Sequence, residues 1–231
     1  MRRNAMNWVK INEDTYRYED GDVRFFLLIG EDAALLIDSG MNVKGVKALV
    51  KEITDKPVTL FNTHADPDHT GANGEFKQVM MNPAELSNYR LANRSKDIIP
   101  LFDGDVIDIG GRPLQTIALP GHTPGSTAIL DRNSGMLFSG DPIQDGAIFM
   151  FGPMRDLSAY IHSLRRLKRY EEDIKEIYPS HGTCPLDMSI VDKLIEGALR
   201  VEAREITPTE AEIFGQRILV YDIGVAKLLY E

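Results

Sequence analysis

The chain has 231 residues, with 26 basic and 35 acidic side chains and a formal net charge of −9, a balance that argues against a partner held mainly through phosphates, because such binding needs Lys and Arg to displace counterions. Its 43% hydrophobic content suffices for a substantial core, and the expectation is one domain spanning 1–231. There is no run of 18 apolar residues and no apolar stretch behind the basic start of MRRNAMNWVKI, so neither nucleic acid nor membrane is an expected partner.

The only cysteine, Cys184, cannot form an internal disulfide and lacks Cys-x-x-Cys spacing, which fits a reducing, cytoplasmic location. In chain order, VRFFLLIG and AALLIDSG read as two strands joined by a hairpin turn after Gly30. From Val43, apolar residues recur at Val46, Leu49, Val50 and Ile53, which predicts a helix with one buried face. VTLFNT, short, β-branched and uncharged, predicts a buried strand with His64 at its end.

The same arrangement recurs three times: LQTIALP leads to His122, MLFSG to Asp141 and IKEIYPS to His181. Strand ends that carry candidate ligands are how sheet-based enzymes assemble a site, because the sheet fixes what loops alone would leave loose. Leu157, Tyr160, Ile161, Leu164 and Leu167 form one helical stripe. Val191, Leu194, Ile195 and Ala198 form another, after a cap expected at Asp187. The closing RILVYDIGVAKLLYE reads as one or two strands about Gly224.

FNTHADPDHTGAN places His64, Asp66, Asp68 and His69 within six positions. Imidazole and carboxylate are the usual ligands of catalytic zinc, iron or manganese, and four of the chain's five histidines lie in strand-end loops. If the stretch were extended, His64, Asp66 and Asp68 would project to one side and His69 elsewhere, so that one loop could feed two metals.

THADPDHTG, PGHTPGS, FSGD and PSHG in this order resemble the metallo-β-lactamase fold superfamily, and the resemblance covers nearly the whole chain. It implies an α/β fold, a four-layer αββα sandwich of two mixed sheets with helices on the outer faces, and two divalent metal ions (Zn, Fe or Mn). By the same resemblance His64, Asp66 and His122 would hold one ion, Asp68, His69 and His181 the other, and Asp141 would bridge. Asp66 stands where most members have histidine; a similar substitution, by glutamate, occurs in flavodiiron proteins of the superfamily. A carboxylate there is a harder, anionic donor that favours iron or manganese over zinc.

These features imply a metal-dependent hydrolase acting on a small ester-, thioester- or lactone-like substrate, with Asp68 orienting the nucleophile, in a chain that could form a homo-oligomer. The alternatives are a di-iron oxidoreductase with an external electron donor and a non-catalytic metal-bound sensing module. Asp38 is expected beside the site, holding a ligand in place. His162 is expected on the surface, and Cys184 as a small buried side chain. The apolar segment 148–154 is expected in the core or along the substrate.

Overall fold

The computed structural model describes residues 8–91 and 97–230; the start of MRRNAMNWVKI, residues 1–7, lies outside them. The chain forms two compact units, Met1–Leu114 and Gln115–Glu231.

The first unit is built on a seven-stranded sheet whose strands follow chain order: β1 (Val9–Asn12), β2 (Thr15–Asp20), β3 (Val23–Ile29), β4 (Ala34–Ile37), β5 (Val58–Phe61), β6 (Val79–Met81) and β7 (Ile98–Pro100). The first four pair antiparallel through short turns, among them the predicted hairpin with Leu27 opposite Leu36. From β4 to β7 the pairing is parallel, and the longer connections carry helices α1 (Val46–Lys51) and α2 (Leu86–Leu91). Phe25, Leu27, Leu36, Val46, Val50, Leu60, Val79 and Met81 form the core of this unit. Trp8 packs edge-on against Tyr18 and Phe25, and its indole N–H donates to the Leu49 carbonyl at 3.1 Å.

Helix α1 begins three residues later than the apolar spacing predicts. Asp20 Oδ2 accepts the amides of Met41, Asn42 and Val43 at 2.7, 2.8 and 3.3 Å, which holds Val43 in the preceding loop. Gly45 then takes a left-handed φ of 74°, and Glu75 accepts the Gly45 and Lys47 amides at 2.8 and 2.9 Å. The helix start is thus satisfied by Glu75, and the loop before it by Asp20, both remote in sequence, which no local pattern reveals. A short strand, β8 (Val106–Asp108), follows in this unit.

The second unit begins within β9 (Pro113–Ala118) and continues with β10 (Thr127–Asp131), β11 (Met136–Gly140), β12 (Ala147–Met150), α3 (Leu157–Leu167), β13 (Glu176–Pro179), α4 (Ser189–Glu202), β14 (Thr209–Ile213), β15 (Gln216–Asp222) and β16 (Lys227–Tyr230). One sheet runs β13-β11-β10-β9, with β10 and β11 antiparallel and β11 and β13 parallel. A second sheet, β12-β16-β15-β14, gathers the closing strands; its parallel pairing of β16 with β12 was not foreshadowed by sequence. Leu130, Leu137, Ile148, Tyr160, Leu164, Ile177, Leu194 and Leu228 share one core.

Helix α3 is capped by Asp156, whose Oδ1 accepts the Ala159 amide at 2.8 Å. At α4 the residue in the cap position is Met188, one later than expected, while Asp187 accepts the Ser189 amide at 2.9 Å. Each unit is α/β with mixed sheets, as the motifs imply. Among the described residues no helix is long and apolar enough to cross a membrane.

Candidate metal centre

In the first unit the ligand-bearing loop leaves β5 and folds back on Asp38, just past β4. Asp38 is buried and has a left-handed φ of 64°, a conformation Asp tolerates better than most residues. Its Oδ1 accepts the Thr63 amide at 2.8 Å, and its Oδ2 accepts both the Thr63 hydroxyl and His69 Nδ1 at 2.8 Å. The Thr63 hydroxyl, having given its proton to Asp38, accepts from His64 Nδ1 at 3.0 Å. One carboxylate therefore fixes two imidazoles, one directly and one through a hydroxyl. Both rings carry their proton on Nδ1 and keep the Nε2 lone pair for a cation.

The loop backbone is clamped from several sides. Asn62 donates to the His69 carbonyl at 2.9 Å, Asn73 to Asn62 Oδ1 at 2.7 Å, and Ser39 to Asn73 Oδ1 at 2.8 Å, all buried. Glu85, also buried, accepts the amide of Ala65, the residue between His64 and Asp66, at 2.9 Å. A Cβ on Gly71 would lie 2.5 Å from the Met41 carbonyl oxygen, so only glycine fits after the motif.

The stretch is a turn, not the extended segment its alternation suggests. The His69 amide and the Thr70 hydroxyl both donate to the Asp66 carbonyl at 3.1 Å. That turn pairs the side chains differently from simple alternation. His64 Nε2 faces Asp66 Oδ2 at 3.6 Å, and His69 Nε2 faces Asp68 Oδ2 at 3.5 Å.

In the second unit His122 follows β9, Asp141 follows β11 and His181 follows β13. His122 Nδ1 donates to the Phe149 carbonyl of β12 at 2.8 Å, again leaving Nε2 as the donor atom for a cation. Asp141 presents a different oxygen to each imidazole: Oδ2 lies 3.6 Å from His122 Nε2, and Oδ1 lies 3.4 Å from His181 Nε2. The buried Tyr160 hydroxyl donates to the Pro142 carbonyl at 2.9 Å and holds the Asp141 loop. Burial pushes that phenol far above its usual range, so it stays a donor. The His181 loop is held by Asp145, whose Oδ1 accepts the Thr183 amide at 2.8 Å.

These four separations test whether a cation fits. They exceed a charge-assisted hydrogen bond of about 2.7–2.9 Å. They match the edge of a tetrahedron, ~3.4 Å, for two ligands each about 2.1 Å from one ion. Nitrogen and carboxylate oxygen at such spacings form a donor set suited to divalent cations.

A sequence model of the metallo-beta-lactamase superfamily matches residues 19–181, which hold all seven candidate ligands. The chain belongs to the metallo-β-lactamase superfamily. It is an enzyme of the metallo-hydrolase class. It is 27% identical over 205 residues to "Acyl-coenzyme A thioesterase MBLAC2" of Gallus gallus, covering 71% of this chain and 74% of that one. It is 32% identical over 148 residues to "Hydroxyacylglutathione hydrolase" of Gloeobacter violaceus, covering 62% and 57%. Among solved structures, "Metallo-beta-lactamase from Pontibacter korlensis" matches with a TM-score of 0.71 and 18% identity over 84% of this chain and 98% of that one, a likeness of fold.

Asp38 takes the place beside the ligands that its position after β4 suggests. His162 is exposed on α3, as expected. Cys184 is half-buried where a buried side chain was expected, because the loop after His181 lies partly open. Thr63, Glu85 and Asp145 were missed by the sequence reading. The signal for Thr63 was its place beside a ligand, whereas Glu85 and Asp145 reach the ligand loops from separate segments.

Proposed function

We propose that the seven candidate ligands hold two divalent cations and that this superfamily member hydrolyses small acyl thioesters, with activated esters and lactones as further substrates. His64, Asp66 and His122 would hold one ion and Asp68, His69 and His181 the other, with Asp141 between them. The observation that carries this reading is Asp141 itself, whose two oxygens face two different imidazoles at 3.6 and 3.4 Å, as a bridging carboxylate requires. The thioester preference rests on the relatives named as an acyl-coenzyme A thioesterase and a hydroxyacylglutathione hydrolase.

When bound, such a pair of cations lowers the pKa of a water from about 16 towards 7 and polarises a carbonyl oxygen. The protein's part is positional. Asp68 accepts a hydrogen bond from the attacking water and sets the direction of its lone pair. Asp38, through His69 and through Thr63 and His64, keeps the imidazole nitrogens aimed without rearrangement. Asp66 adds an anionic oxygen donor, which shifts the preferred metal towards iron or manganese.

Two measurements test the reading: metal content of protein purified without added metal, and a hydrolysis screen over thioesters, lactones, phosphodiesters and β-lactams. About two metal atoms per chain and highest turnover on thioesters is the expected result. A metal-replete protein inert towards all four classes would overturn it. Asp66 favours a second reading, a di-iron oxidoreductase with an external electron donor. A coloured iron centre that consumes oxygen would establish it.

A further inference from the structure

Beside the ligands of the second unit, the four-stranded sheet carries a partly exposed apolar face. Phe151, Ile218 and Leu229 form its centre, and Phe149, Ile213 and Val220 pack around them. Phe149 and Phe151 lie two apart along the chain with ring centres 5.3 Å apart. Phe214, at the β14–β15 turn, extends the row, its ring 6.3 Å from that of Phe149. Phe214 is 87% exposed, and Met154, on the segment leaving β12, is 43% exposed.

Folding alone does not account for these two side chains. The β14–β15 hairpin pairs Ile213 with Gln216, leaving Phe214-Gly215 as a two-residue loop with φ values of 52° and 76°. That is the geometry for which Asn-Gly is strongly preferred. Met154 has a φ of 66°. A bulky side chain in the left-handed region costs on the order of 1 kcal/mol. Phe214 is therefore disfavoured by conformation and by exposure together. Backbone strain of this kind concentrates where a ligand is held.

We infer that this aromatic row binds the unbranched acyl chain of a thioester substrate and makes the enzyme selective for longer acyl groups. The inference rests on the thioesterase reading. What commits the face to substrate is its continuity with the metal centre: the Phe149 carbonyl accepts from Nδ1 of the ligand His122 at 2.8 Å. Flat rings bury methylenes at little entropic loss, because they have few rotatable bonds.

The test is a chain-length series of S-acyl N-acetylcysteamine thioesters from acetyl to dodecanoyl, with wild-type protein and Phe214→Asn. In the wild type kcat/KM should rise by up to about fourfold per methylene buried. In Phe214→Asn the dodecanoyl-to-acetyl ratio should fall at least tenfold while the melting temperature stays level or rises, because asparagine suits the turn. A purely structural Phe214 would instead lower stability and leave the ratio unchanged, which would overturn the inference. So would loss of a dimer in Phe214→Asn with the ratio intact, since a second copy would then be the occupant.

Binding of the non-hydrolysable S-dodecyl and S-ethyl thioethers, followed by calorimetry, separates this inference from the reaction. Chain-length-dependent binding that Phe214→Asn weakens, without thioester turnover, keeps the surface and removes the reaction. Turnover with no chain-length dependence in either assay keeps the reaction and removes the surface.

Discussion

Asp38 holds two candidate ligands, His64 and His69, whereas Thr63 holds only His64, and that difference is measurable. Asp38→Ala removes the acceptor of both imidazole chains, so metal affinity should fall about 10–100-fold, leaving both positions partly filled after dialysis. Thr63→Val removes only the link to His64 and should deplete one metal of two. Metal analysis across a titration distinguishes the outcomes, and equal losses in the two variants would contradict the relay. Asp66→His should move metal content towards zinc and leave the fold intact; unchanged content would mean Asp66 is no ligand. At this scale the positions of the candidate ligands were legible because each lies in a loop just past a mostly apolar strand. Their supports were not, because Glu85 meets Ala65 across 20 positions and Asp145 meets Thr183 across 38.

Helix α3 shows what an element contributes beyond covering a sheet. Tyr160 sits on its apolar stripe, fully buried, and its hydroxyl holds the carbonyl after Asp141. Tyr160→Phe should destabilise the protein by about 1 kcal/mol at neutral pH, read from chemical denaturation. Its alkaline effect has the opposite sense. The folded phenol keeps its proton to higher pH than the unfolded one, so above pH about 10 the unfolded chain gains by ionising and stability falls by up to about 1.4 kcal/mol per pH unit. Tyr160→Phe should flatten that fall. The helical stripes and strand runs were legible from apolar spacing alone, whereas the start of α1 was not, because Asp20 and Glu75 set it from elsewhere.

For the whole chain, metal binding and folding are linked, because the ligand geometry exists only in the folded state. Removing metal with a chelator should lower the melting temperature as well as abolish hydrolysis. Stabilisation at a thousandfold excess of ion over its dissociation constant is about 4 kcal/mol per site. Restored activity without a restored melting temperature would separate the two effects. At this scale the sequence revealed the succession of strands and helices, since parallel neighbours need long connections and antiparallel ones do not. It did not reveal that β12 would pair with β16 across 80 positions, because edge pairings leave no periodic trace.

Gly121, the residue before His122, lies so close to α3 that a Cβ would fall 2.4 Å from the Tyr160 backbone nitrogen, and its carbonyl accepts the Asp156 amide at 2.9 Å. The loop and the first turn of the helix therefore cannot separate by small steps. They should open as a single cooperative unit, so the slowly exchanging amides of Asp156 and Tyr160 should share one exchange rate with that of Gly121. Metal occupancy would then slow amide exchange in a helix that supplies no ligand.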